Sequence, residues 1–300
     1  MVREGVRGEA MRIGLVDVDG HNFPNLALMK LSAWHKAHGD SVEFAVPLLR
    51  YDRIYKSKVF TFTTDDFTAW MCDDVRKGGT GYDLTSKLPN EVEHTCPDYS
   101  LYGITNTAYG YLSRGCPRGC PFCIVADKEG RASRKVADLR EWWSGQKNIK
   151  LLDPNLTACT DWRDLFGQLA DSGASVDFTQ GLDIRLLTDD KIAALNSVKI
   201  NNIHFAWDNA NDDLRPHFER YAAQAKRKYH AAFATVYVLT NFNSTMEQNL
   251  YRINTLRDFG YDPYVMVYDK EHAPHEIRRL QRWCNNKIIF KKTRRFEDYR

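Results

Sequence analysis

The densest chemistry in this chain is carried by nine residues, Gly115-Cys116-Pro117-Arg118-Gly119-Cys120-Pro121-Phe122-Cys123. Three of the seven cysteines fall within eight residues, spaced C-x3-C-x2-C, and no fourth continues the pattern. A structural zinc site takes four protein ligands, and a self-contained four-iron cluster takes four thiolates. Three closely spaced thiolates suit a cluster in which one iron is left open for another ligand. The flanking residues suit a loop that wraps a bulky inorganic body. Gly115 and Gly119 permit unusual backbone angles, while Pro117 and Pro121 restrict the chain and remove two donors. Arg114 and Arg118 add positive charge, which favours thiolate over thiol.

The pattern C-x3-C-x-aromatic-C resembles the signature of the radical SAM superfamily. The resemblance implies a [4Fe–4S] cluster on Cys116, Cys120 and Cys123, with S-adenosylmethionine (SAM) binding the fourth iron through its amine and carboxylate. It places Phe122 near the adenine, and it implies an external electron donor of the flavodoxin or ferredoxin type. The same cysteines also allow a different class of protein, a non-catalytic interaction module with zinc on Cys96, Cys116, Cys120 and Cys123.

Three hundred residues suggest one large domain or two ordinary ones, and a hydrophobic content of 43% is enough for a substantial core. A net charge of +3 forces no nucleic-acid or acidic partner. No run approaches the roughly 18 apolar residues that span a bilayer, and Met1 to Ala10 lacks the apolar core of a signal peptide. Cys72, Cys96, Cys159 and Cys284 are scattered, which is no disulfide framework and fits a reducing cytoplasm. Phosphate loops of the G-x4-G-K-[ST] kind and the hydrolase elbow G-x-S-x-G are absent.

Around the cysteine loop the sequence predicts an α/β chain with five parts. Residues 1–10 read as a disordered extension, with Met11 a candidate true start. Residues 11–90 read as a Rossmann-like domain with a strand over Arg12–Val18, a helix over Leu26–His38, strands over Ser41–Val46 and Val59–Thr63, and a helix from Asp65 or Asp66 through Arg76. Residues 91–106 are turn-rich and read as a linker.

From 107 to 290, strand and helix alternate, predicting parallel strands with helices outside that close or partly close into a (β/α)6 barrel of the TIM type. The last of these strands is expected at Lys287–Phe290. Residues 291–300 read as a basic, solvated tail.

Ligands on such sheets meet the carboxyl ends of the strands. The polar residues expected there are Asp153, Asn155, Gln180, Asp183, Arg185, Asp208, Asn209 and Asn241. By resemblance, Asp153 and Asn155 lie where the SAM amine is met, Asp183 and Arg185 near its carboxylate and ribose, and Trp207, Asp208 and Asn209 at the ribose, with Gln180 a further SAM candidate at its strand end. An arginine beside a carboxylate makes physical sense because its planar fork donates two parallel hydrogen bonds.

The first domain resembles the cobalamin-binding-type domain that precedes the barrel in one class of radical SAM enzymes. Asp19-x-His21 is similar to its D-x-H-x-x-G motif, with Pro24 at the glycine position. That resemblance makes His21, Gly78 and Gly79 the cobalamin candidates.

Overall fold

The computed structural model describes residues 10–20, 22–225 and 234–299. The chain divides into two compact units, one of residues 1–109 with 140–146 and one of residues 110–139 with 147–300.

In the first unit the strand β1 (Arg12–Asp17) is followed by the helix α1 (Leu26–Ala37), β2 (Ser41–Phe44), β3 (Arg53–Ser57) and β4 (Val75–Gly78). The strands are parallel in the order β2-β1-β3-β4. Alternation along β1 sends Ile13 and Leu15 to the face covered by Leu28 and Leu31 of α1, and these side chains form the core with Val92. Asn25 caps α1 by accepting from the Leu28 N–H. β1, α1 and β2 thus form a parallel βαβ unit, in keeping with the α/β class that the sequence predicts.

The rest of the first unit corrects the sequence reading. The third strand lies at 53–57 rather than 59–63, and the helix expected over 65–76 does not form. The aspartates read as its cap make tight local turns instead. Asp66 accepts from the N–H and hydroxyl of Thr68 and from Trp70 Nε1, while Asp65 pairs with Lys77 and accepts from the Tyr82 hydroxyl. Phe60, Phe62 and Phe67, which supply the apolar pattern, are exposed.

Residues 91–106 are a packed part of this unit rather than a linker. They contain the short helix α2 (Asn90–Glu93) and a 3-10 turn over Tyr99–Tyr102. Glu93 pairs with Lys30. Asp98 accepts from Ser32 and Lys36, and the Tyr102 hydroxyl donates to Asp17.

The strand β5 (Thr107–Gly110) leads into the second unit, where the hairpin β6 (Ser113–Arg114) and β7 (Arg134–Lys135) encloses the cysteine loop and the short helix α3 (Val125–Glu129). Five βα repeats follow. They are β8 (Asn148–Leu151) with α4 (Trp162–Asp171), β9 (Ser175–Phe178) with α5 (Asp189–Leu195), β10 (Ile200–Ala206) with α6 (Arg215–Gln224), β11 (Ala234–Thr240) with α7 (Met246–Asp258), and β12 (Asp262–Val267) with α8 (His275–Asn285).

The six-stranded sheet is ordered β12-β11-β10-β9-β8-β5, and β8 to β12 are parallel. The apolar residues of 136–143 form no α-helix, only a 3-10 turn at Leu139–Glu141. Residues 226–233, between α6 and β11, lie outside the described residues.

Alternation gives this sheet two unlike faces. Val176, Phe178, Ile203, Phe205, Val236, Val238 and Val265 are buried on one face. The opposite face carries Lys150, Asp177, Asn202, His204, Tyr237 and Tyr264, half-buried or exposed. The last expected strand is instead a helix, α9 (Lys287–Lys292), and the basic tail is packed: Phe290 and Phe296 are buried against Trp283. No helix among the described residues is long and apolar enough to cross a membrane.

Candidate functional site at the cysteine loop

The cysteine loop is held at both ends by its own backbone. Gly115 has φ +93°, and a Cβ there would meet the Ala132 carbonyl oxygen at 2.1 Å. Gly119 has φ +55°, and a Cβ there would meet Arg131 Nη1 at 2.3 Å. Glycine is therefore required at Gly115, where the obstacle is backbone, while at Gly119 it spares the left-handed penalty and the Arg131 side chain could move aside. The Cys116 N–H donates to Gly130 O at 3.1 Å, and the Cys123 N–H donates to Cys120 O at 3.0 Å. Cys116 and Cys120 are half-buried, Cys123 is exposed, and all three are free thiols. Burial pushes the Cys120 thiol up from its ordinary value, and the Arg118 charge opposes that shift.

Strand ends converge on this loop within the second unit. Asn155, after β8, donates from Nδ2 to Cys116 Sγ at 3.4 Å and accepts from the Thr157 hydroxyl at 2.8 Å. Asp183, after β9, and Asp212, after β10, lie 3.7 and 3.8 Å from the Arg118 guanidinium. Phe122 meets Phe242, after β11, edge to face at 5.4 Å between centroids, and Phe242 meets Tyr268, after β12, at 4.9 Å. The loop thus touches residues at the carboxyl ends of β8, β9, β10 and β11.

The expected site residues divide into groups that face the loop and groups that serve the fold. Asp153 is buried and fully engaged, accepting from the Leu112 N–H at 2.9 Å, the Ser113 hydroxyl at 2.6 Å and the Ser113 N–H. It pins β8 to the strand that delivers the cysteines, and burial raises its carboxyl to about 7. Trp207 is a core residue, stacked on Phe218, with its indole N–H donating to Asp212 O at 2.8 Å. Asp208 is half-buried and raised to about 6, mainly by desolvation, with the charge of Arg252 opposing. Gln180 and Asn209 are exposed. Asn241 has φ +61° and donates to Tyr268 O at 2.8 Å.

Arg185 is already occupied. Its Nε and Nη2 reach Asp183 at 2.7 and 3.2 Å, and its Nη1 reaches Asp212 at 3.1 Å.

Sequence reasoning missed Asp212, Phe242 and Arg252. Arg252 is completely buried on α7, where it donates to the carbonyls of Trp207 at 2.6 Å, Asp208 at 3.0 Å and Leu239 at 2.9 Å, and to Asn249 Oδ1 at 2.6 Å. It thereby ties together the ends of β10 and β11. The available signal was its place in the stripe Asn249, Arg252, Ile253, Leu256, which occupies one helical face.

Among the described residues no three His, Cys, Asp or Glu side chains are gathered as a formed metal site. The donor set nevertheless fits an iron–sulfur cluster: three free thiols on one loop, glycines fixing its turns, an arginine beside Cys120, and an amide already directed at Cys116 Sγ.

In the first unit His21 lies outside the described residues. Gly79 has φ +98°, and a Cβ there would meet the Lys58 carbonyl oxygen at 2.4 Å, so the chain's own packing accounts for that glycine. Gly78 accepts from the Lys58 N–H at 3.1 Å. Asp19 accepts from the Val59 and Phe60 N–H groups, joining the loop after β1 to the one after β3.

No protein-family model matches this chain, and no curated protein matches it.

Proposed function

We propose that this protein is a radical SAM enzyme. Cys116, Cys120 and Cys123 hold a [4Fe–4S] cluster, and the polar residues after β8 to β10 hold the nucleotide. The reading is supported by one observation above the rest: the three-cysteine loop lies against the carboxyl ends of four neighbouring strands, reaching Asn155, Asp183, Asp212 and Phe242. When bound, such a cluster supplies an electron that splits SAM into methionine and a 5′-deoxyadenosyl radical for hydrogen abstraction from a substrate.

The chain's own residues do the rest. Asn155 donates to the Cys116 sulfur, and hydrogen bonds to sulfur raise cluster potentials within the wide range open to iron–sulfur centres. Phe122 and Phe242 offer two ring surfaces to a flat base. The open sheet face with Lys150, Asp177, His204 and Tyr237 is available to a polar, planar substrate. An external flavodoxin- or ferredoxin-type donor supplies the electron. Simple hydrogen abstraction, methyl transfer and rearrangement are the outcomes that product analysis separates. Cobalamin on the first unit is a separable part of the proposal.

Cys→Ala at positions 116, 120 and 123 is expected to abolish iron loading after anaerobic reconstitution, while Cys284→Ala, whose thiol is buried and pushed up to about 12, loads normally. Incubation with SAM and a strong reductant is expected to release 5′-deoxyadenosine, and a parallel sample with cobalamin tests the first unit. Equal iron in all four variants sinks the assignment of the three cysteines, and colourless protein with stoichiometric zinc favours the zinc module instead.

A further inference from the structure

The first unit covers only one face of its sheet with helix. In the order β2-β1-β3-β4, the crossover from β1 to β2 runs one way, and those from β2 to β3 and from β3 to β4 run the other. Right-handed crossovers therefore put residues 45–52 and 58–74 on the face opposite α1. Two contacts bear this out. Gly14 alternates with Ile13 and Leu15, and a Cβ there would meet the Ala45 and Tyr51 side chains at 3.1 Å. Lys56, on the same face as Ile54, pairs with Asp66 at 3.2 Å. Doubly wound sheets carry helices on both faces, yet neither connection forms one here.

What this layer turns outward is apolar. Leu48, Phe62 and Phe67 are 84–85% exposed, and Val46, Phe60 and Met71 are exposed to a lesser degree. A bridge between Arg50 and Met71 joins the two connections, and Phe60 stacks on Phe62 at 5.1 Å. The backbone beneath is pinned. Asp19 accepts from the Val59 N–H and the Thr63 hydroxyl, and Asp66 accepts from Thr68 and Trp70. Side chains displayed on a fixed backbone need little further ordering on binding.

Leu48 carries the argument further. The Leu49 N–H donates to Val46 O at 3.3 Å, closing a turn with Pro47 second and Leu48 third at φ +72°. The third place of such a turn is one that glycine fills without strain. Leucine there strains the backbone and recovers nothing by burial within the monomer.

At roughly 200 Å² for a whole large side chain, the six residues offer on the order of 700 Å² of surface. The largest apolar patch of an ordinary monomer runs about 300–600 Å², and one side of a standard interface buries about 800 Å². Charge on the two connections is balanced. Arg50, Arg53, Lys56 and Lys58 stand against Asp52, Asp65, Asp66 and Asp73, and the Arg50–Asp73 pair is exposed on both sides. A face that meets its own image across a two-fold axis must not repel itself, and this one does not.

We infer that this face is the contact surface of a two-fold dimer, its partner a second copy of this chain. The inference is independent of the cysteine loop and its cofactors.

Sedimentation velocity of the full chain across micromolar concentrations tests it, with reductant present so that the exposed Cys96 and Cys123 form no cross-link. Wild type is expected to show a monomer–dimer equilibrium. Leu48→Gly and Phe62→Ser should each raise the dimer dissociation constant at least tenfold. Leu48→Gly also relieves the left-handed strain, so the denaturant midpoint of its monomer should be no lower than that of wild type. Ile288→Ser, at an apolar residue 69% exposed on α9, should leave the dissociation constant unchanged.

Wild type that sediments as a monomer throughout overturns the inference, and flotation of that monomer with phosphatidylcholine vesicles would assign the face to a lipid surface instead. A dimer that survives both Leu48→Gly and Phe62→Ser, or one that Ile288→Ser weakens as much, is built on another surface and overturns it too.

Discussion

Asp208 is a carboxyl whose surroundings work openly against its charge. Desolvation raises its carboxyl to about 6, and the charges of Arg252 and Arg185, with the Leu239 backbone, only partly offset that effect. A carboxyl whose folded pKa lies above its unfolded one favours the folded state while it is protonated. Its contribution is fully present below about pH 4, the unfolded value, and is lost as pH rises through about 6. Asp208→Asn removes this dependence. The stability of wild type relative to Asp208→Asn is therefore expected to fall by on the order of 2 kcal/mol between pH 4.5 and 7.5. Urea unfolding of both proteins at the two pH values measures it. A difference that does not change with pH means that Asp208 is not held as a buried acid. Taking the difference between wild type and Asp208→Asn also removes the opposite trend contributed by His217, whose pKa is lowered by burial.

Elements repeat where the sequence repeats, and this decided what was readable beforehand. From Asn148 to Asn285 each strand is a short β-branched or aromatic run followed by a helix with apolar residues at helical spacing, as in Leu165, Phe166 and Leu169. Those units were readable in order and nearly in register. The cysteine loop stood out because three cysteines and two glycines fall within nine residues. Residues 59–76 misled because their phenylalanines imitate a core-facing pattern while standing exposed, and because aspartates that resemble helix caps bond into their own turns. Nor could the pattern show that Arg118 and Arg185 share Asp183 and Asp212, since only the fold brings those carboxylates together.

Glycine placement gives an element-scale prediction. Gly115→Ala adds a Cβ 2.1 Å from the Ala132 carbonyl at φ +93°, whereas at Gly145, with φ +100°, nothing lies within 4 Å. Both substitutions incur the left-handed backbone penalty, about 1 kcal/mol. Only Gly115→Ala must also move a backbone, for a total of about 2–4 kcal/mol. Denaturant midpoints of the two variants are expected to differ in that order, and equal losses would mean that the loop relaxes freely around Gly115.

At the scale of the whole molecule, the last fourteen residues matter more than their composition suggests. Lys287, Lys291, Lys292, Arg294 and Arg295 read as a solvated basic end. Yet Phe290 and Phe296 are buried at ring distances of 5.0 and 5.5 Å from Trp283, itself wholly buried. The Trp283 indole donates to Thr293 O at 2.9 Å. The Arg257 guanidinium sits over the Phe290 ring at 3.5 Å, and Arg279 lies over Phe296 at 4.8 Å. The segment therefore closes the end of the second unit beyond α8, with its charges outward and its rings inward. Phe290→Ala is expected to cost about 3–5 kcal/mol, as for other buried aromatic truncations. Lys291→Glu and Lys292→Glu, on exposed residues, should stay within about 0.5 kcal/mol of wild type. Removing residues 287–300 exposes Trp283, so its fluorescence should shift to the red and the apparent unfolding midpoint should drop. A truncated chain that keeps both the emission maximum and the midpoint would show that the second unit is already closed at Asn286.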